Sequence, residues 1–484
     1  MSLLASLGYA LSACRPDAPR EPDAPGPQPR PSPDIPPDIP SDIPTEPIST
    51  DDLLLFRPDA DRYPELSTRF NLRVPQRPAA IVLCRNTTDV ATAVRYAQQE
   101  GLPVAVKSGG HSFEGFSSND GGLVVDLSLL DQVEWIDDTT FRVGPACTLA
   151  ELYDALLPRG RIIPAGSCGS VGLGGLTLGG GYGLFSRKLG LTCDSLIGVT
   201  LVDGAGVVRD SRSDPELLWA CKGGGNGNFG AVTELRFRSH AAPRGLFSHR
   251  FKAYQLEPAR AVRLMETWFS IAPTLPKSAY SAFVLNGRTL TILITDTRND
   301  DPALATALDR LSDVMDKTSR GRRQDLATAV KRYYGIQHPI HFKNASAGLY
   351  DGFDDLRAVA LPIAEIVGGS ARLILQVNTL GGIIAHPQFD KASAFPHRSA
   401  PFLGELQAYY DRPEQAERYL TAFRKVQGLL AGNGVTRHYR NYPDLDFTDS
   451  EQAYYGDRTS RLRQIKRRLD PENVFRHPQS IRGA

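Results

Sequence analysis

Two residues of this chain pair nucleophilic chemistry with bare backbone. His111 stands in Lys107-Ser-Gly-Gly-His-Ser-Phe113, and Cys168 stands in Gly166-Ser-Cys-Gly-Ser-Val-Gly172. An imidazole and a thiol can each attack an electrophilic carbon. The glycines around them let backbone approach a ligand closely. Directly after Cys168 comes Gly174-Gly-Leu-Thr-Leu-Gly-Gly-Gly-Tyr-Gly183, and Gly223-Gly-Gly-Asn-Gly-Asn-Phe-Gly230 forms another such loop. The pattern suits one flat ligand held at two covalent points.

The glycines fit neither of the two best-known phosphate fingerprints. A doubly wound dinucleotide fold needs G-x-G-x-x-G between a strand and a long helix, with an acid further on. Here the glycines come as doublets and triplets, and neither long run opens a long helix. A phosphate loop needs Gly-Lys followed by Ser or Thr, which is absent. With Ser108-Gly-Gly110 there are three glycine-rich loops. They read as backbone N–H groups turned toward a diphosphate and a flat ring.

The bulk of the chain narrows the function classes. Its 484 residues suffice for two or three domains, and a hydrophobic content of 41% allows a large core. Lys+Arg total 55 against 54 for Asp+Glu, so no basic face points to a nucleic-acid partner. No apolar run is long enough for a transmembrane helix. The six cysteines (14, 84, 147, 168, 193 and 221) show no metal-ligand spacing. Cys84 and Cys147 read as small core residues.

The N-terminal region reads as a disordered tail over 1–48. Leu11-Ser-Ala-Cys14 is similar to a bacterial lipoprotein cleavage box, so Cys14 is a candidate lipid anchor. Thirteen of the 36 prolines follow within 15–47, a composition that favours an extended spacer. Together they point to an extracytoplasmic protein, lipid-anchored or secreted, and to a cytoplasmic one if the box is fortuitous. Asn86-Thr-Thr88 and Asn344-Ala-Ser346 are glycosylation tripeptides if the chain is secreted by a eukaryote.

Elements that position the two nucleophiles follow from pattern. Ala80–Leu83 is a short strand, Thr87 or Thr88 caps a helix ended by Gly101, and Val104–Val106 is the next strand. This unit delivers His111 just beyond a strand end. Thr148-Leu-Ala-Glu151 is a capping box for a helix before Cys168. Strand-like runs within 290–295, 373–377 and 402–409 then alternate with amphipathic helices near 257–272, 303–318 and 414–431. The expected divisions are 49–242, 243–432 and a segment 433–484 that packs back on the first.

At this point the chain resembles a known family. Lys107–Glu114, Gly166–Gly183, Gly223–Gly230, Phe395-Pro-His-Arg398 and the Tyr439–Ile481 segment carry the resemblance, which spans about 50–484. The chain is similar to berberine-bridge-enzyme-like FAD-linked oxidoreductases of the vanillyl-alcohol-oxidase, or PCMH-type, superfamily. The resemblance implies an α+β fold. It consists of a PCMH-type FAD-binding domain of two α/β subdomains, plus a substrate domain with an antiparallel sheet covered by helices.

It also implies FAD joined covalently to His111, and at a second point to Cys168. Relatives often carry proline where this chain has Gly169, which is expected to loosen the loop. Lys107, Ser108, Gly109, Gly110 and Ser112 would hold the cofactor from one side. Gly166, Val171, Gly172, Gly175, Gly179, Gly180, Gly181, Tyr182 and Gly183 would hold it from another. Asp194, Gly227, Gly230, Val232 and Asn441 complete the expected set. No metal is expected.

The implied reaction is oxidation of a C–OH group of a carbohydrate or small natural product by hydride transfer to flavin N5. Electrons then pass to O2 or another acceptor. A base must take the hydroxyl proton. Tyr442, in Tyr439-Arg-Asn-Tyr442, is the first candidate, provided its pKa is lowered. Glu405 is the rival, and Gln407 shares its face if the 402–409 strand alternates. Tyr439 completes the catalytic set, and Phe113 either stacks near the ring or packs in the core. His397 and Arg398 read as structural. Two alternatives stay open: oxidative ring closure at an N-methyl amine on the same scaffold, and a surface protein that keeps flavin without turnover.

Overall fold

The computed structural model describes residues 49–370 and 372–483. Cys14, its cleavage box and the proline-rich tail lie outside the described residues.

Two small sheets build the body that carries His111 and Cys168. In the first, Ala80–Leu83 and Val104–Lys107 both run parallel to Leu123–Asp126, which lies between them, and Leu54–Phe56 closes one edge antiparallel. Ala80–Leu83 and Leu123–Asp126 are buried throughout, as strands of a parallel sheet covered on both faces should be. The helix Thr87–Gln99 is capped one residue earlier than the sequence suggests. Asn86 is extended and accepts from Asp89 N at 2.9 Å, whereas Thr87 spends its hydroxyl on Thr233 at 3.0 Å. Asn86 is thus a helix cap.

The second sheet has five antiparallel strands, in the order Val133–Trp135, Thr140–Val143, Ala231–Arg238, Leu196–Val202 and Val208–Asp210. The capping box at Thr148 and Glu151 forms and starts the helix Leu149–Leu156. That helix lies directly before the Cys168 loop.

The third sheet has seven antiparallel strands. Their order is Lys317–Ser319, Phe247–Ala253, Thr289–Asp296, Ala279–Asn286, Leu373–Thr379, Phe402–Tyr410 and His341–Tyr350. One face is apolar and packs Phe251, Phe283, Leu375 and Leu406 against the helices Pro258–Ile271, Ala360–Gly368 and Ala416–Gly432. The opposite face looks toward the glycine loops. The helix expected over 303–318 stops at Ser312, because Lys317–Ser319 pairs with Phe247–Ala253 as an edge strand.

The strand His341–Tyr350 is unexpected from its sequence, HFKNASAGLY. Its Lys343, Asn344 and Ser346 are buried polar residues, so it lacks the apolar alternation of an ordinary strand. Asn344 is therefore not an exposed glycosylation acceptor.

The C-terminal segment returns to the first two sheets. Phe475 bridges Val104, and Leu469 O accepts from Gly204 N at 2.8 Å. Lys466 on the helix Thr459–Leu469 is fully buried. It pairs with Asp470 at 2.6 Å and donates to Asn228 O and Phe475 O at 2.8 and 2.6 Å. A buried ammonium demands this full set of acceptors, and here they tie the second glycine loop to the chain end.

Candidate active site

Between the seven-stranded sheet and the glycine loops lies a cavity of about 420 Å³, in the size range of cofactor and small-molecule sites. The loops that form its floor meet backbone to backbone. A Cβ on Gly109 would fall 2.3 Å from Gly172 N, and one on Gly172 would fall 2.5 Å from Gly109 N. Only paired glycines allow this crossing, which brings the His111 and Cys168 loops onto one cavity.

His111 stacks on Phe70 with ring centroids 3.8 Å apart. Burial lowers its pKa to about 4, opposed by a hydrogen bond to the Ser170 backbone. The imidazole is therefore neutral near pH 7 and keeps a nucleophilic nitrogen. Cys168 is exposed, but to the cavity it lines. The surrounding protein, and then the charge of Glu405, push its thiol up to about 11. It waits as a thiol, not a thiolate.

Gly169 does not loosen this loop. Its N–H donates to Tyr334 O at 3.1 Å, and a Cβ there would meet the Tyr334 ring at 2.7 Å. A proline would lose the hydrogen bond and strike the ring.

The floor offers what a dinucleotide flavin requires. Among the described residues, the backbone N–H groups of Gly109, Gly110, His111, Ser112 and Phe113 donate to no protein acceptor. Gly110 is left-handed at φ 68°, so these groups form a concave donor set suited to phosphate. Ser170 Oγ is buried without a partner. Ser108, Gly166, Val171, Gly175 and Gly183 also line the cavity, as do Gly227, Gly230 and Val232.

Several residues expected at the cofactor stand behind the wall instead. Lys107 Nζ is held by Asp126 at 2.7 Å and Ser128 at 3.2 Å. Asp194 forms a buried pair with Arg398 at 2.6 Å and accepts from Leu191 N at 2.7 Å. Gly179, Gly180 and Gly181 make room for side chains packed behind the wall. A Cβ on Gly179 would overlap the Asn441 amide, one on Gly180 would meet Phe395, and Gly181 N donates to Tyr439 Oη at 2.9 Å. Lys107, Asp194 and these three glycines thus position the lining rather than form it. His397 and Arg398 are structural: His397 Nε2 lies 2.9 Å from Ala453 O.

The opposite wall is polar and aromatic. Leu403, Glu405, Gln407 and Tyr409 alternate onto one face of the Phe402–Tyr410 strand, and the last three line the cavity with Tyr439, Asn441 and Tyr442. Burial raises the Glu405 pKa to about 7, against hydrogen bonds from Gln407 and Tyr442 that favour its charged form. Tyr442 Oη lies 2.7 Å from Tyr182 Oη, and its ring stacks on Phe113 with centroids 5.2 Å apart. Burial and the neighbouring Glu405 drive the Tyr442 pKa well above its usual value. The lowered pKa that an autonomous tyrosine base needs is not met.

Beyond Tyr182 runs a chain of amides that its sequence signature left unread. Asn378 Nδ2 donates to Tyr182 Oη at 3.1 Å, and Asn378 Oδ1 accepts from Tyr280 at 2.6 Å and Gln376 at 2.8 Å. Gln407 Nε2 reaches Gln376 Oε1 at 3.4 Å. Gln376 and Asn378 stand two apart in the strand Leu373–Thr379, after the apolar Leu373-Ile-Leu375 and on either side of Val377. That spacing marks one polar face of a strand. Phe70, the partner of His111, carries no such signal.

Comparison with known proteins points the same way. A family model described as an FAD binding domain matches residues 78–212, and one described as berberine and berberine like matches 438–482. An FAD-linked oxidoreductase of Bacillus subtilis is 30% identical over 447 residues, covering 88% of this chain and 96% of the relative. A chitooligosaccharide oxidase of Gibberella zeae is also 30% identical, covering 86% and 90%. The crystal structure of an aclacinomycin oxidoreductase superposes with a TM-score of 0.80 at 28% identity, covering 89% and 99%. Among the described residues, no helix is long and apolar enough to cross a membrane.

Proposed function

This chain belongs to the berberine-like family of FAD-linked oxidoreductases, and from that premise we propose that it oxidises a C–OH group of a carbohydrate or small natural product, with its flavin joined to both His111 and Cys168. Relatives include enzymes named for carbohydrate and small-molecule oxidation. When bound, FAD supplies the acceptor for the hydride leaving the carbinol carbon.

The observation that carries this reading is the pairing of Glu405 with Tyr442 in the cavity shared by His111 and Cys168. Tyr442 is too weak an acid to lose its proton unaided. Glu405, poised near neutrality, can accept one. Tyr442 therefore orients the substrate hydroxyl and passes its proton to the Glu405 carboxylate. Tyr182 and Asn378 hold Tyr442 in place, and the aromatic walls exclude water. Gln407 keeps Glu405 charged enough to act.

His111 supports attachment because it is neutral and fixed by Phe70. The accessible Cys168 sulfur supports a second bond once its proton is removed. The Leu11–Cys14 box and the proline-rich spacer support an envelope-tethered or secreted placement, which metabolic labelling with a radioactive fatty acid tests.

The functional test is anaerobic mixing of yellow holoprotein with sugars and small alcohols. Bleaching of the visible flavin band is expected. Bleaching by N-methyl amines alone shifts the reading to amine oxidation. Bleaching by dithionite but by no organic donor leaves a silent flavin binder. O2 as final acceptor is read from peroxide release on admitting air.

A further inference from the structure

The cavity-facing side of the seven-stranded sheet changes character from one edge to the other. Residues paired across its strands share one face. One row runs Asn378, Ala282, Leu293 and Arg250. Asn378 holds Tyr182 beside the proposed proton acceptor. Ala282 and Leu293 line the apolar middle of the cavity. Arg250 ends the row, three strand spacings or about 14 Å from Asn378.

Three further cations surround Arg250. Lys252 lies two residues on, on the same face, and pairs directly across with Lys317. Like charges directly opposite destabilise a sheet. Arg332 lines the cavity and lies close enough for its charge to bear on Arg250. Among the described residues, none of the four side chains makes an ion pair or hydrogen bond. Arg250 and Arg332 are both partly buried. Buried arginines elsewhere in the molecule have acceptors, Arg398 in Asp194 and Arg187 in the Leu380 and Leu275 carbonyls.

We propose that Arg250 and Arg332, backed by Lys252 and Lys317, recognise an anionic group, so that the substrate is an elongated alcohol with a carboxylate or sulfate ester at the end remote from the oxidised carbon. This deepens the reading above and rests on it. The polar end of the row receives the carbinol, Ala282 and Leu293 take an apolar stretch or sugar face, and the guanidinium forks take the anion. The span matches a molecule of two or three linked rings rather than a single small one.

The test uses wild-type holoprotein and the double variant Arg250→Gln/Arg332→Gln, both checked for normal flavin spectra. Flavin reduction is followed with three disaccharides of one linkage: a neutral one, one ending in a uronic acid, and one carrying a sulfate ester. For wild type at low ionic strength, the acidic or the sulfated donor should show kcat/KM at least about tenfold above the neutral one, as expected for a charge-assisted contact. Which of the two leads identifies the anion.

The preference should shrink as salt rises and fall toward one in the double variant. Reduction by all three donors at equal rates overturns the proposal and leaves alcohol oxidation standing, as does a preference that survives in the double variant. Failure of all three, together with failure of the sugars and small alcohols named above, removes the underlying reading and the proposal with it.

Discussion

The hydroxyl oxygens of Tyr182 and Tyr442 lie 2.7 Å apart, so the side chain that faces Glu405 is itself held from behind by a tyrosine anchored on Asn378. Tyr442 is thereby fixed in direction, while its proton has one basic destination, the buried carboxylate.

Glu405→Gln separates catalysis from stability. In the wild type, kcat/KM should rise as pH passes through about 7, because Glu405 must be ionised to accept a proton. The variant should lose that limb and roughly 10²–10⁴-fold in kcat. Stability should move oppositely. The folded-state pKa is raised from 4.5 to about 7, so the folded form binds more protons in that window and wild-type stability falls as pH climbs through it. Above pH 7 the penalty is on the order of 3 kcal/mol. Thermal melts should show E405Q gaining on wild type at pH 8 and not at pH 4.

Tyr442→Phe keeps the stack on Phe113, whose rings lie 13° from parallel, and removes only the hydroxyl. Flavin reduction should slow by about 10²-fold or more with the colour and fold intact. An unchanged reduction rate would exclude the relay.

Gly172→Ala tests the loop crossing. Its methyl would meet Gly109 N and Cα and Ser108 Oγ, and two of these are backbone atoms that cannot swing aside. Overpacking of this kind costs about 1–3 kcal/mol. The variant should melt lower and emerge pale, with flavin content the direct readout. Gly352→Ala, at an open position, serves as the control.

Lys343→Met tests the buried charges beneath Tyr442. Lys343 Nζ contacts Glu114 and lies 2.6 Å from Asp444, two residues beyond Tyr442. Removing one partner from a buried ion cluster costs about 3–5 kcal/mol. Urea unfolding should show that loss. A change within about 1 kcal/mol would mean that Arg73, paired with Glu114, and Gln427, which donates to Asp444, already satisfy the two carboxylates.

The glycine doublets told of close backbone approach, and the Gly109–Gly172 crossing is the contact they permit. Alternation placed Glu405 and Gln407 on one face, because an edge-to-centre strand with a period of two leaves a readable trace. Lys107 and Asp194 lie off the cavity lining for a shared reason: a charged residue inside a motif can brace the loop that carries the lining, Lys107 through Asp126 and Asp194 through Arg398. The strand around Asn344 was not legible, because a buried polar strand resembles a surface loop in composition. The Tyr442 pKa was not legible at all, since it depends on burial by three elements far apart in sequence. The same holds for the Arg250–Arg332 juxtaposition, made by a strand and a helix end that only the fold brings together.

His111 and Cys168 would hold one flavin at two points, in the cavity that Glu405 and Tyr442 also line. The most direct test of that attachment is acid precipitation of purified, cofactor-replete protein, followed by peptide mass spectrometry of the pellet. A yellow pellet is expected, with the peptides spanning positions 111 and 168 both carrying the flavin mass, and with C168A keeping colour through His111 alone. A white pellet under a yellow supernatant, with both peptides unmodified, contradicts it.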